Sequence, residues 1–360
     1  MKINFLIGTK GQLIKMAPLI SILEKNNVDF NFINAAQHGE IFNDIIKAFN
    51  LPAPSLNLME RKKDVLNPLE EFKWLSKTLI NSLFKNKEYF RNSVIFVHGD
   101  ASPAFLGLII SKLSKSKLAH VEAGLRSFNF FNPFPEEIIR YLVDKNADYL
   151  YTPSKIAENN LKKMKSKAEI INTSENTVLD SVRYSIKEYN YTVPKELRNN
   201  VIFTVHRFET LKSKIKVKMI LEIMNEISSK YDLTFVMHNT TKYYLTKYDI
   251  IHEIPKNANV ISLQIYPKFM KIISESRFVV TDGGGLQEET SYLGKPCLVL
   301  RNLTERKQGL SGNVKISKFD ENIIKDFIQN YKTYQRKSII DKDVSPSKKI
   351  YENIKDICQL

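Results

Sequence analysis

Cysteine is scarce. Cys297 and Cys358 are the only two in 360 residues, too few for a disulfide framework. The expectation is a reducing cytoplasm, with each thiol a small core or surface residue rather than a nucleophile. Long apolar runs are missing too. Stretches such as Ala104–Ile110 fall far short of the roughly 20 residues a membrane span needs. The opening MKINFLIG is short and strand-like, and no small-residue cleavage site follows it, so it does not read as a signal peptide. Acidic residues are outnumbered, 39 against 54 basic, for a net charge of +15. Such a surplus admits nucleic acid or an anionic membrane. Yet the lysines are spread along the whole chain, and the densest clusters, Lys162–Lys167 and Lys212–Lys218, lack interleaved stacking aromatics. We expect no nucleic-acid partner and no stable membrane insertion. A nucleotide diphosphate, or peripheral association with an anionic membrane, would draw on the same field.

What is present is regular alternation. Ile3–Ile7, Phe30–Asn34, Val94–Val97, Lys117–Val121 and Tyr149–Tyr151 read as buried parallel strands, with amphipathic helices such as Leu13–Glu24 and Ile41–Phe49 between them. A second series runs through Val201–Val205, Leu233–Met237, Val260–Ser262, Phe278–Thr281 and Cys297–Leu300. Alternation of this kind predicts βαβ units. The fold class is therefore α/β, with two Rossmann-like, doubly wound domains facing across a cleft. Their expected extents are 1–185 and 186–345, with the polar stretch Lys187–Asn200 as hinge and a C-terminal helix at 346–360 packing back on the first domain. Loops beyond the carboxyl ends of the strands should carry the chemistry.

Four segments sit at such positions. The first is Gly8-Thr9-Lys10-Gly11-Gln12, ahead of a helix starting near Leu13. It is neither a Walker A loop nor a GxGxxG fingerprint, and Lys15 could point into the cleft or into water. The second runs Val97-His98-Gly99-Asp100, His120-Val121-Glu122-Ala123-Gly124-Leu125-Arg126, and Asn132-Pro133-Phe134-Pro135-Glu136-Glu137 with Arg140. Taken singly, Asp100 reads as a helix cap, and Glu136 and Glu137 as helix-end charges favoured by the dipole. As a set at the mouth of one sheet, Asp100, Glu122 and Glu136 suit acid–base work. The third is Thr204-Val205-His206-Arg207-Phe208-Glu209, where a His-Arg pair fits phosphate or a surface turn. The fourth is Thr281-Asp282-Gly283-Gly284-Gly285-Leu286-Gln287-Glu288-Glu289 with Gly294-Lys295-Pro296. Its glycines would aim N–H groups at a diphosphate, and its acidic pair, placed in the first helical turn, would reach a ribose.

In order and spacing these segments resemble the UDP-N-acetylglucosamine 2-epimerase family, whose fold is that of the two-domain GT-B glycosyltransferases. The resemblance runs from Gly8 to about Gly309. It implies catalytic roles for Asp100, Glu122, Glu136 and His206. It implies substrate contacts from Lys10, Lys15, Arg140, Arg207, Gly283, Gly284, Gly285 and Glu289. It also implies a candidate activator site at Gln37, His38 and His238. A base would remove the C2 proton as UDP leaves, and UDP would add back after protonation on the opposite face. That chemistry needs no metal or redox cofactor. The implied function is inversion at C2 of a UDP-acetamido sugar, supplying a ManNAc-type sugar for cell-surface polysaccharide, and family analogy implies a homodimer.

The family's patterns are altered at several places. GTRPE is Gly8-Thr9-Lys10-Gly11-Gln12, TDSGG has Gly283 for its serine, and HRREN is His206-Arg207-Phe208-Glu209-Thr210. Glu175 replaces the glycine before the Asn-Thr-Val turn. The Arg-Gln pair of the activator site falls near Arg61-Lys62-Lys63, where glutamine is absent. Three alternatives to a non-hydrolysing epimerase therefore stay open: a hydrolysing epimerase, a GT-B glycosyltransferase using exposed aromatics such as Phe128, Phe130 and Phe131, and an inactive sugar-nucleotide sensor.

Overall fold

The apolar runs form strands buried on both faces, as a parallel sheet under helices requires. The computed structural model describes residues 1–37, 41–60, 68–131, 133–188, 199–304, 306–310 and 312–359. The chain divides into two units, Met1–Tyr184 with Asp343–Leu360, and Ser185–Lys342.

The first unit contains β1 (Lys2–Ile7), β2 (Asn31–Asn34), β3 (Leu56–Asn57), β4 (Ser93–His98), β5 (Lys117–Val121), β6 (Tyr149–Thr152) and β7 (Glu169–Asn172). They form one parallel sheet in the order β3-β2-β1-β4-β5-β6-β7. The second contains β8 (Asn200–Thr204), β9 (Asp232–Val236), β10 (Asn259–Ile261), β11 (Val279–Thr281), β12 (Cys297–Val299) and β13 (Val314–Ile316). Their order, also parallel throughout, is β10-β9-β8-β11-β12-β13. In each sheet the winding reverses, between β1 and β4 and between β8 and β11. Doubly wound sheets bind ligands beyond the carboxyl ends of the strands at that reversal. The loops after β1, β4, β8 and β11 are thus the places to look for chemistry.

Packing fixes these loops. Phe5 stacks on Phe96 at 5.0 Å, and Phe96 on Tyr151 at 6.1 Å, a buried aromatic row across the first sheet. Each such residue contributes about 3–5 kcal/mol against alanine. Gly8 is required by close approach, since a Cβ there would lie 2.5 Å from Pro103. Pro18 lies inside the helix Lys10–Lys25 and has no N–H to offer the carbonyl of Ile14. Ser181 Oγ supplies the missing donor at 2.7 Å, joining that helix to Val178–Glu188. The C-terminal helix Pro346–Cys358 packs within the first unit, where Tyr151 donates to Asn353 Oδ1 at 2.7 Å and Asp180 Oδ2 accepts from the Ser347 backbone at 2.8 Å. Phe203, Phe235, Phe278, Phe327 and Tyr331 centre the core of the second unit.

Three strands absent from the sequence reading, β3, β7 and β13, are two to four residues long. All three lie at sheet edges and lack the long apolar signature of a central strand. Of the expected hinge Lys187–Asn200, residues 189–198 lie outside the described residues, while Lys187 still belongs to the helix Val178–Glu188. Among the described residues no helix is long and apolar enough to cross a membrane.

Candidate active site

The first helix begins three residues earlier than expected. Thr9 caps it, accepting from the Gln12 N–H at 3.2 Å, and the helix starts at Lys10. Gln12 Oε1 accepts in return from the N–H groups of Gly8 and Thr9 at 3.1 and 3.2 Å. Its amide nitrogen donates to the His98 carbonyl at 2.8 Å. That last bond needs a donor, which an ionised glutamate lacks. Gln12 therefore ties the end of β1 to the end of β4.

Glu122, just after β5, has φ +69°. The left-handed region costs a residue with a Cβ about 1–2 kcal/mol, a strain that survives only where the surroundings over-determine it. Here they do. The side chain is buried, and Lys15 Nζ and Asn176 Nδ2 both donate to its Oε2, with His98 Nε2 4.0 Å from the same oxygen. Lys15 thus points at Glu122 rather than into water. His120, wholly buried in β5, pins the surrounding loops. Its Nε2 lies 2.8 Å from the Gly99 carbonyl and its Nδ1 2.7 Å from Asp144 Oδ1, while Asp144 Oδ2 accepts from the Gly124 N–H at 3.1 Å.

Asp100 is not a helix cap; Ala101 holds that position ahead of the helix Ser102–Ser114. Instead Arg140 Nη2 donates to Asp100 Oδ2. Arg140, expected as a substrate contact, has no exposed surface, because its guanidinium bridges Asp100 and Glu137. Glu137, which did not stand out in the sequence, is the hub of this corner and is also fully buried. It accepts from Arg126 Nε at 2.6 Å, Arg140 Nη1 at 3.1 Å, and the N–H groups of Ser127 and Phe128 at 3.0 and 3.3 Å. Glu136, half-buried, opens the helix Glu136–Asn146 one turn before Arg140. The loop leading there exposes Phe128, Phe130, Phe131 and Phe134.

In the second unit, buried Asp282 organises the reversal. Its carboxylate accepts from the His206 N–H at 3.0 Å and the Arg207 N–H at 2.9 Å, so the loops after β8 and β11 are one construction. The His206 ring stacks on His238, with centroids 4.4 Å apart and planes 17° from parallel. Arg207 reaches Glu209 at 3.4 Å. Burial pushes the Glu209 carboxyl up, but Arg207, its own backbone and Arg301 together hold it below the ordinary range.

The glycine run is less of a loop than expected. The helix Gly284–Leu293 starts directly after Gly283, so Gly284 and Gly285 belong to it and present its first N–H groups. Glu288 and Glu289 therefore fall in the second turn, not the first. Glu288 is fully buried, pairs with Arg306 and accepts from Tyr292 at 3.2 Å, which anchors the segment after β12. Glu289 lies close enough to the Tyr266 hydroxyl for their charges to interact. Burial, then the Glu289 and Glu288 carboxylates, hold that hydroxyl well above its ordinary range, so it stays a donor. Cys297 lies in β12, where burial pushes the thiol up to about 12. Of the candidate activator residues, His38 lies outside the described residues along with 61–67, Gln37 is half-buried just past β2, and His238 stacks on His206.

The family model for UDP-N-acetylglucosamine 2-epimerase matches residues 21–354. The UDP-N-acetylglucosamine 2-epimerase of Methanocaldococcus jannaschii is 32% identical, the match covering 90% of this chain and 91% of that one. Its crystal structure in complex with UDP-GlcNAc and UDP superposes with a TM-score of 0.85 at 26% identity, covering 99% of this chain and 100% of that one. The Neisseria meningitidis enzyme bound to UDP-GlcNAc gives a TM-score of 0.86 at 27% identity, with the same coverage.

Proposed function

The chain belongs to the UDP-N-acetylglucosamine 2-epimerase family, and from that premise we propose that it inverts C2 of UDP-GlcNAc or a related UDP-acetamido sugar without net hydrolysis. The C2–H bond and the C1–O bond to UDP break, a C1–C2 double bond forms, and UDP adds back at C1 as a proton reaches C2 from the opposite face. The product, a ManNAc-type UDP-sugar, would feed cell-surface polysaccharide.

The observation that carries this reading is Glu122, a buried carboxylate on a left-handed backbone, in contact with Lys15 and Asn176. A fold gains little stability from such a group, and strained, charge-paired carboxylates cluster where protons are moved. Two faces of one carbon need separately placed proton carriers, and Asp100, steadied by Arg140, and Glu136 are the further carboxylates of that corner. In the second unit, His206 and Arg207, held through their backbone N–H groups by Asp282, would act with the N–H groups opening the helix Gly284–Leu293 to take the charge of the leaving diphosphate. Lys10 adds positive charge at the start of the helix that follows β1, and Glu289 would accept from the ribose hydroxyls.

Proton NMR of UDP-GlcNAc incubated with the enzyme in deuterated water tests the proposal. Deuterium at C2 of the recovered UDP-sugar, in both epimers, is expected. Its absence would overturn the mechanism, and stoichiometric release of UDP with free sugar would overturn the non-hydrolysing assignment.

A further inference from the structure

Two donors meet on one oxygen of Glu122, and they differ in kind. Lys15 reaches Oε2 from the helix Lys10–Lys25 on a flexible stem, its side chain 12% exposed. A lysine held this way supplies charge but little direction. Asn176 reaches the same oxygen on a short side chain, from a turn that is itself tied down. There Thr173 Oγ1 lies 2.9 Å from the Thr152 carbonyl and 2.8 Å from the Glu175 carbonyl, and the Ser174 N–H donates to Asn172 Oδ1 at 2.7 Å. Asn176 is buried and engaged at both ends of its amide, since its Oδ1 accepts from Thr177 Oγ1 at 3.3 Å. Its backbone carbonyl accepts from the Leu179 N–H at 3.0 Å, at the start of the helix Val178–Glu188. The bond from Ser181 Oγ to the Ile14 carbonyl joins that helix to the one carrying Lys15. The elements bearing the two donors are therefore fixed to each other.

We propose that Asn176 is a positioning residue for Glu122, fixing the direction of its carboxylate at the left-handed corner after β5, while Lys15 supplies the balancing charge. This rests on the reading of Glu122 as a proton carrier. A buried amide is costly unless its groups find partners, and a bond to an ionised carboxylate is among the stronger ones available to it. Direction matters because proton transfer requires the carboxylate within hydrogen-bond reach of the proton it moves. Asn176 acts only through Glu122, so its removal should matter only while residue 122 carries a carboxylate. A donor to the charged form also makes that form easier to reach, and a like charge in its place makes it harder.

The experiment measures kcat and KM for UDP-GlcNAc against pH in Asn176→Ala and Asn176→Asp, each also in a Glu122→Gln background. Folding is followed by the melt of Trp74, buried in the same unit. Asn176→Asp has the size of the native residue and covers the case in which alanine does not fold. Asn176→Ala should lower kcat about 10- to 100-fold, the worth of one hydrogen bond to a charged group, with KM within about threefold. The acid limb of its kcat profile should move up by about one pH unit. Asn176→Asp should move that limb further and lose more activity than alanine at pH 8, although it fills the same space. With glutamine at 122, either change at 176 should alter kcat by no more than about twofold. An unmoved acid limb in both variants, or equal losses of kcat in the two backgrounds, would overturn the positioning role. So would a raised KM with kcat unchanged. A crippled Glu122→Gln beside fully active Asn176 variants would sink this proposal and leave the reading of Glu122 standing. A fully active Glu122→Gln would overturn both together.

Discussion

Lys295 makes a sharp prediction about stability. It follows Gly294, which ends the helix Gly284–Leu293, and its residue surface is 1% exposed. Its amine donates to the Ser276 carbonyl at 2.8 Å. Burial lowers that amine from 10.5 to about 8, against the opposing pull of Glu275. The gap corresponds to about 3 kcal/mol, at about 1.4 kcal/mol per pH unit. Below pH 8 the lysine is charged in both folded and unfolded chains, and the folded state bears the full cost of burying the charge. Between 8 and 10.5 the unfolded chain holds more protons, so stability rises with pH; above 10.5 the cost is gone. Lys295→Met does not titrate, but it leaves the Ser276 carbonyl without its donor, at about 1–3 kcal/mol. The two proteins should therefore be close in stability at pH 7, with the wild type gaining as pH rises. Calorimetry at half-unit steps from pH 7 to 10.5 should show the difference in Tm growing by roughly 6–12 °C for a unit of this size. A difference that stays flat would refute the idea that burial holds this amine near neutrality.

Other consequences follow from the first unit. Glu122→Gln should lower kcat by about 10²–10⁴, the range for loss of a general acid or base, while UDP affinity measured by calorimetry stays within a factor of two or so; unchanged kcat would remove Glu122 from the chemistry. Glu137→Gln puts an amide NH₂ against guanidinium and N–H donors, and should cost about 3–5 kcal/mol, read from the melt of the single tryptophan, Trp74, buried in the same unit. Gln12→Glu sets a carboxylate oxygen against the His98 carbonyl, so its deficit in the same melt should grow from pH 5 to pH 8 as the new acid ionises; a deficit independent of pH would rule out the lost donor as its cause.

How far the sequence could be read depended on the range of the signal. Central strands such as β1, β4 and β5 declare themselves by uninterrupted apolar runs, and their order follows from alternation with helices. Edge strands β3 and β7, half-buried, carry no such run. At the site, Asp100, Glu122 and Glu136 were legible because each follows a strand or opens a helix. Their supports were not, because support is tertiary. Nothing local pairs Lys15 with Glu122 across 107 residues or Arg140 with Asp100 across 40. Glu137 looked like one more helix-end charge until its four donors converged on it. One signal was available: His98 and His120 are polar residues set against the apolar runs of β4 and β5, and buried polar groups must find partners.

The departures from the family's patterns acquire a different meaning once partners are visible. Counted singly, Gln12 is a lost acid and Gly283 a lost hydroxyl. In place, Gln12 spends its oxygen on two N–H groups and its nitrogen on the His98 carbonyl, a task that requires both a donor and an acceptor. At Gly283 the helix Gly284–Leu293 has no side-chain cap. The change at position 12 is met by neighbours within one hydrogen bond's reach. Such pairs satisfy buried polar groups and volumes jointly, so altering one member alone should cost more than altering both, the non-additivity expected of residues that share a space.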